Sequence, residues 1–209
     1  MINFKFSREV EARIKTQAVN YIVKYSSQKI LSQFENIKKR MIQEFLNHPV
    51  TKEINGGLSA SNLSQTLSGI NNDGNLFTFI GFYLDDDPIA PIEELFSNIS
   101  IEIIKTYNTV SVNIKLPTPS DVWDVTPMPW QDGRSWAKGI ESGISGLNYY
   151  FHLKKASEKS RSTEGVQLHK ARTNSRYIPT KYITELLKKY RTIFSSKYAR
   201  NKSVFVNVD

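Results

Sequence analysis

"ISIEIIKTYNTVSVNIKL", residues 99–116, decides the fold class. Val110, Val112, Ile114 and Leu116 alternate with polar residues, the period of a strand with one face in a core, and residues 106–109 between the two runs supply a turn. A lone β-hairpin is marginally stable in water, so other elements must cover its apolar face. The flanking chain predicts those elements as helices. Upstream, Val10, Ile14, Ala18 and Ile22, then Ile30, Phe34, Ile37, Met41 and Phe45 recur every three or four positions, which marks one face of a helix. Ser7 is placed to cap its start, Glu9 suits its first turn, and Pro49 stops it because the residue before a proline is pushed out of helical geometry. The polar residues 25–28 interrupt the stripe and mark a candidate kink. A helix over 7–48 spans about 60 Å, longer than a core built from a chain of this size is wide, so part of its apolar face must meet something else. Downstream, "TKYITELLKKYRTIF" follows Pro179, with Thr180 as the expected cap and Ile183, Leu186, Leu187, Tyr190 and Phe194 on one face. The expectation is an α+β fold: a long N-terminal helix and a C-terminal helix packed on a mainly antiparallel sheet.

Between these landmarks, "NGGLSASNLSQTLSGINNDGN" (55–75) is rich in Gly, Ser and Asn and reads as loop. "LFTFIGFYL" (76–84) reads as a strand from its aromatic and β-branched content, ended by Asp85, Asp86, Asp87 and Pro88. "PIEELFSNI" predicts a short helix with Pro91 in its first turn. "SVFVNV" (203–208) alternates weakly, as a strand added to a neighbouring sheet edge would. No internal repeat is visible, and the expected organisation is a single domain over 1–195 with a tail at 196–209.

The chain has 209 residues, no cysteine and a net charge of +8. Without cysteine there are no disulfides, thiolate metal sites or cysteine nucleophiles, which suits folding in a reducing cytoplasm. No window approaches the roughly 20 apolar residues of a membrane span, and the first residues lack the apolar segment of a signal peptide. The charge is partitioned. Residues 1–53 carry ten Lys/Arg against five Asp/Glu, residues 54–151 four against eleven, and residues 152–209 fourteen against four. Basic ends favour a polyanion such as DNA, while an acidic middle between them equally suits pairing of one subunit with the next.

The segment 154–176 concentrates seven Lys/Arg, namely Lys154, Lys155, Lys159, Arg161, Lys170, Arg172 and Arg176, against two Glu and has no apolar period. Such composition cannot bury enough to order itself, so the expectation is a flexible basic loop. It is either merely solvated or an arm facing an acidic partner or a DNA channel through phosphate contacts that carry no sequence information.

Candidate chemistry is sparse. Asp85, Asp86 and Asp87 resemble a cluster for a hard cation, but adjacent residues on an extended chain point apart and no calcium-loop spacing follows, so an acidic turn is favoured. His48, His152 and His169 stand far apart, and no serine lies in a nucleophile elbow. The reading is no catalytic residue, no metal ligand and no cofactor.

"TPMPWQDGRSWAKGIESGISG" (126–146) is the densest special stretch. Gly139, Gly143 and Gly146 match neither a dinucleotide fingerprint nor a phosphate loop. At about 1 kcal/mol each relative to alanine they weigh against a helix, so "RSWAKGIE" reads as a strand followed by a glycine-turned exit. Trp123, Trp130 and Trp136 are either core or interface anchors, since aromatic residues lead both sets.

The order of these features, a long first helix, a Ser/Asn/Gly-rich turn, a hairpin, "SWAKGIESG" and "YIPTKYITELL", resembles the neck and tail-completion proteins (head–tail connectors) of long-tailed bacteriophages. The matching positions are Trp136, Ala137, Ile140, Glu141 and Gly143, then Tyr177, Ile178 and Pro179. The combination "ASNLSQTLSG…NLFTFIGF…DDPIAPI…VTPMPW…GRSWAKGIESGISGL" is also similar to virion structural proteins of contractile-tailed phages, over about residues 1–195. The resemblance implies a non-enzymatic virion protein: a homo-oligomeric ring, expected to be hexameric, in the neck or head-proximal tail end. It would be assembled in the host cytoplasm, surround non-specifically held packaged DNA, and touch head-completion and tail-tube or terminator proteins, with no membrane partner. Ile30, Phe34, Trp123, Trp130 and Trp136 are the expected interface residues. The competing reading is a non-sequence-specific DNA-binding protein of the infected cell, although no helix-turn-helix, zinc or stacking motif is present.

Overall fold

The computed structural model describes residues 7–68, 75–105, 110–143, 176–198 and 204–208. The fold is α+β. Its contacts divide the chain into two compact units. The first contains Met1–Lys39, Ile99–Leu116 and Arg191–Asp209, and the second Arg40–Asn98 and Pro117–Tyr190. The basic segment 154–175, with Lys154, Lys155, Lys159, Arg161, Lys170 and Arg172, lies outside the described residues, as does the hairpin turn 106–109.

Helix α1 (Arg8–Asn47) runs 40 residues. Ser7 caps it as expected, its hydroxyl accepting from Val10 N at 3.4 Å and its carbonyl from Glu11 N at 3.0 Å. Residues 25–28, where the stripe is interrupted, are helical like their neighbours. In the first unit α1 contributes Ile30, Phe34 and Ile37 to the core, beside β2 (Ser100–Lys105) and β3 (Val110–Lys115). The hairpin pairs antiparallel, Ser100 with Lys115 through Lys105 with Val110. Val110, Val112 and Ile114 are buried and the residues between them are not, so the period-two reading holds. β7 (Val204–Val208) adds a parallel strand on the far side of β3, giving the order β2-β3-β7. The sheet edge that the last residues find is thus one in their own chain. The Phe34 and Phe194 rings meet tilted, 5.7 Å between centres, and Lys38 reaches from beside Phe34 to the Ile99 carbonyl at 3.4 Å. Each such buried aromatic contributes on the order of 2 kcal/mol.

In the second unit, His48 ends α1 and caps α2 (Pro49–Asn55), its side chain accepting from Val50 N at 3.3 Å, while Pro49 opens the new helix where a missing N–H costs nothing. The glycine- and serine-rich stretch holds one 3-10 turn (Gly57–Ser59) and a short strand β1 (Leu67–Ser68), paired antiparallel with β6 (Arg176–Tyr177).

The strand expected over 76–84 is a helix, α3 (Leu76–Ile80). Asn75 and Thr78 form a reciprocal capping box, and Gly81 ends the helix at φ 91°. All five helical residues are buried, so aromatic content carries no period and local capping decides. The acidic turn that follows is real: Asp86 accepts from Tyr83 N at 2.8 Å, and Asp87 from Ala90 N at 3.1 Å at the start of α4 (Ala90–Ser97).

After α5 (Pro119–Asp124), "RSWAKGIE" also departs from expectation. The strand pair β4 (Pro127–Met128) and β5 (Gln131–Ser135) stops at Ser135, whose side chain accepts from Lys138 N at 3.1 Å and starts α6 (Trp136–Ser142). Of the glycines weighed against a helix, only Gly139 lies inside α6. Gly143, at φ 84°, ends it, and Gly146 lies outside the described residues. Helix α7 (Ile183–Tyr198) begins later than expected, because Thr180 is held elsewhere, its N–H donating to the Ile140 carbonyl at 3.0 Å. The expected apolar face of α7 is buried throughout: Ile183, Leu186, Leu187, Tyr190 and Phe194.

Candidate functional site

The resemblance motif converges on one joint. Trp136, Ala137 and Ile140 are buried on α6, and the Trp136 ring meets Phe82 edge-on at 5.7 Å. Glu141, nearly buried, turns both carboxylate oxygens toward the start of α7. Oε1 accepts from Thr184 N at 2.8 Å, and Oε2 accepts a short hydrogen bond from the Thr184 hydroxyl. An N–H in the first turn of a helix has no partner within it, and a carboxylate there also meets the positive end of the helix dipole. Gly143 then takes a positive φ that other residues avoid, with Pro179 opposite its Cα. "WAKGIESG" and "IPT" therefore hold α6 to the entrance of α7, so that the motif serves architecture.

A second carboxylate works in the same way. Glu53 on α2 is fully buried and accepts from Ser64 N and Leu76 N, each at 2.7 Å, joining the loop to the start of α3. Burial pushes its carboxyl above the ordinary range, and the hydrogen bonds from Ser64 and Leu76 pull it partly back. Near α7, Lys189 and Tyr190 both donate to Glu44, at 2.5 and 2.9 Å. The Lys189 hydrogen bond lowers the Glu44 carboxyl, and burial with the Glu44 bond raises the Tyr190 phenol to about 12.

A hollow of about 530 Å³ lies among α5, the β4–β5 hairpin and α6. Ser120, Trp123, Asp124, Arg134, Lys138 and Ser142 line it. With Ser135, its polar side chains are one carboxylate, two cations and three hydroxyls.

The expected interface residues separate. Phe34 is 1% exposed, Ile30 7% and Trp136 2%, all inside the chain's own cores, so little of them is left for a neighbouring copy. Asp in place of Ile30 and Phe34 would therefore dismantle the first unit's core rather than a contact between subunits. Trp130 is half-buried, its indole N–H donating to the Ile80 carbonyl at 2.7 Å, and Trp123 is half-buried in the hollow. Arg176 pairs with Ser68 through the β1–β6 backbone. Tryptophan identity carried no signal separating core from interface.

Exposed apolar residues gather at the start of α1. Among the described side chains every one from Arg8 to Tyr25 is exposed, including Val10 (39%), Ile14 (49%), Tyr21 (73%) and Tyr25 (61%). Their spacings of four, seven and four place them on one helix face. Val10 and Ile14 belong to the periodic stripe read from the sequence, whereas Tyr21 and Tyr25 do not and lie across the helix from Ile30 and Phe34.

Comparison of the chain with protein-family models, curated proteins and solved structures finds no match. Among the described residues no helix is long and apolar enough to cross a membrane.

Proposed function

We propose that the chain is a non-catalytic structural subunit of a bacteriophage virion, one copy in a hexameric ring of the neck or head-proximal tail end that joins head to tail around the DNA channel. The observation that carries this reading is the exposed stripe Val10, Ile14, Tyr21 and Tyr25. Amphipathic helices bury their apolar face, and an apolar stripe left exposed on a helix is a surface for another chain. The order of motifs, which resembles that of neck and tail-completion proteins, suggests the kind of assembly. The joint at Glu141 and Thr184 is compatible with it, because the residues that carry the resemblance tie one helix to the start of another there. Basic ends around an acidic middle suit head-to-tail contacts between copies and a positive surface toward packaged DNA.

The test is a phage whose genome encodes the chain, carrying Ile14→Asp, Tyr21→Ser and Tyr25→Ser together. The three sites are exposed, so the subunit is expected to stay folded while heads and tails accumulate unjoined and infectious yield drops by about a hundredfold or more. Normal yield of joined particles would remove the stripe from assembly. Absence of the chain from purified virions, with presence on DNA in the infected cell, would replace the connector reading with that of a DNA-binding protein.

A further inference from the structure

The three-stranded sheet of the first unit has two outer edges, and among the described residues neither is paired. Edge strands that stay single are normally protected by proline, bulges or charge, because a row of unsatisfied N–H and C=O groups invites another strand. β2 has none of the first two: its six residues include no proline, and its register with β3 is unbroken. Its core-side row is also unfinished. Val112 and Ile114 are fully buried on β3, yet their β2 partners Ile103 and Ile101 are only half-buried. Ile104, on the other face, is 43% exposed. A further strand with apolar residues at alternate positions would complete that row.

We propose that this strand is β7 of a second copy, so that the sheet continues from subunit to subunit around the ring; the inference rests on the ring reading and names the contact that closes it. Strand directions fit. β2 is antiparallel to β3 and β7 is parallel to β3, so β7 of one copy beside β2 of the next runs antiparallel, the better bonded arrangement. Lengths fit, with six residues meeting five. The apolar alternation fits as well, since Val204, Val206 and Val208 are the register partners of Val110, Val112 and Ile114. Opposite edges of one sheet make a head-to-tail contact, the kind that closes by rotation.

The experiment combines native mass measurement of the full chain with hydrogen exchange of its assembled and dilute monomeric forms. On assembly, the amides of peptides covering β2 and β7 should slow by about tenfold or more. Ile104→Lys sets a charge on the edge and should weaken assembly by about tenfold or more, whereas Leu63→Lys, at a comparably exposed apolar site (49%), should assemble normally. If the wild type assembles with β2 exchanging as fast as in the monomer, or Ile104→Lys assembles like the wild type, edge pairing is overturned and the ring reading stands. If the wild type stays monomeric at every concentration and forms no ring in particles, the ring reading fails and the edge contact with it.

Discussion

Two residues, Glu53 and His48, make small chemical edits and pH readable as stability. Glu53 accepts two backbone N–H groups, one with each oxygen. In Glu53→Gln the amide nitrogen must face one of those donors and leave it unsatisfied in a buried place. The expected loss is about 1–3 kcal/mol, read as a lower midpoint in chemical denaturation at neutral pH. An unchanged midpoint would mean the carboxylate does not hold the loop. His48 acts through its ring nitrogen, which accepts from Val50 N and so requires the neutral ring, and the ring stacks on Tyr182 at 5.1 Å. Burial lowers the His48 pKa below 6.5, against the opposing pull of Glu44 and Glu185. A base depressed on folding stabilises the fold above its unfolded pKa, and that stabilisation is lost as pH falls through the folded value. Melting temperature should therefore fall between pH 7 and pH 5 by more in the wild type than in His48→Asn, which keeps a capping acceptor without a titrating ring. Equal slopes would exclude His48 as the titrating group.

At the scale of elements, the hairpin and the faces of α1 and α7 were legible because each is buried on one side only, so its period appears in the sequence. α3 and α6 were misread for opposite reasons. α3 is buried on all sides and shows no period. The signals that define it are Asn75, Thr78 and Gly81, three residues among aromatics that favour strands. At α6 three glycines in the sequence weigh against a helix, although only Gly139 lies within it. The start of α7 was invisible for a further reason: its cap comes from Glu141, 43 residues earlier than Thr184. Gly143→Ala tests that joint. Alanine at φ 84°, ψ 142° is strained by about 1–3 kcal/mol, so the variant should melt several degrees lower. A melting point equal to the wild type's would show that the exit from α6 adapts freely.

For the molecule as a whole, the proposed ring would make separate demands on charge and on apolar surface. If basic and acidic stretches of neighbouring copies face each other, raising salt from about 0.1 M to about 1 M shortens the screening length from about 10 Å to about 3 Å and should weaken assembly of the purified chain. Light scattering across that range checks it, and an oligomer whose dissociation constant is salt-independent would assign assembly to apolar contact alone. The division into two units was not legible, because each unit gathers stretches far apart in the chain, and β7 joins β3 across about ninety residues. That division has an optical consequence. Trp123, Trp130 and Trp136, the only tryptophans, all belong to the second unit. Indole emission during denaturation thus reports the unit that contains the Glu141 joint, with Trp136 shielded from water and Trp123 and Trp130 half in contact with it. The unit that contains the hairpin is dark to this probe, and its unfolding must be followed through amide absorption or exchange.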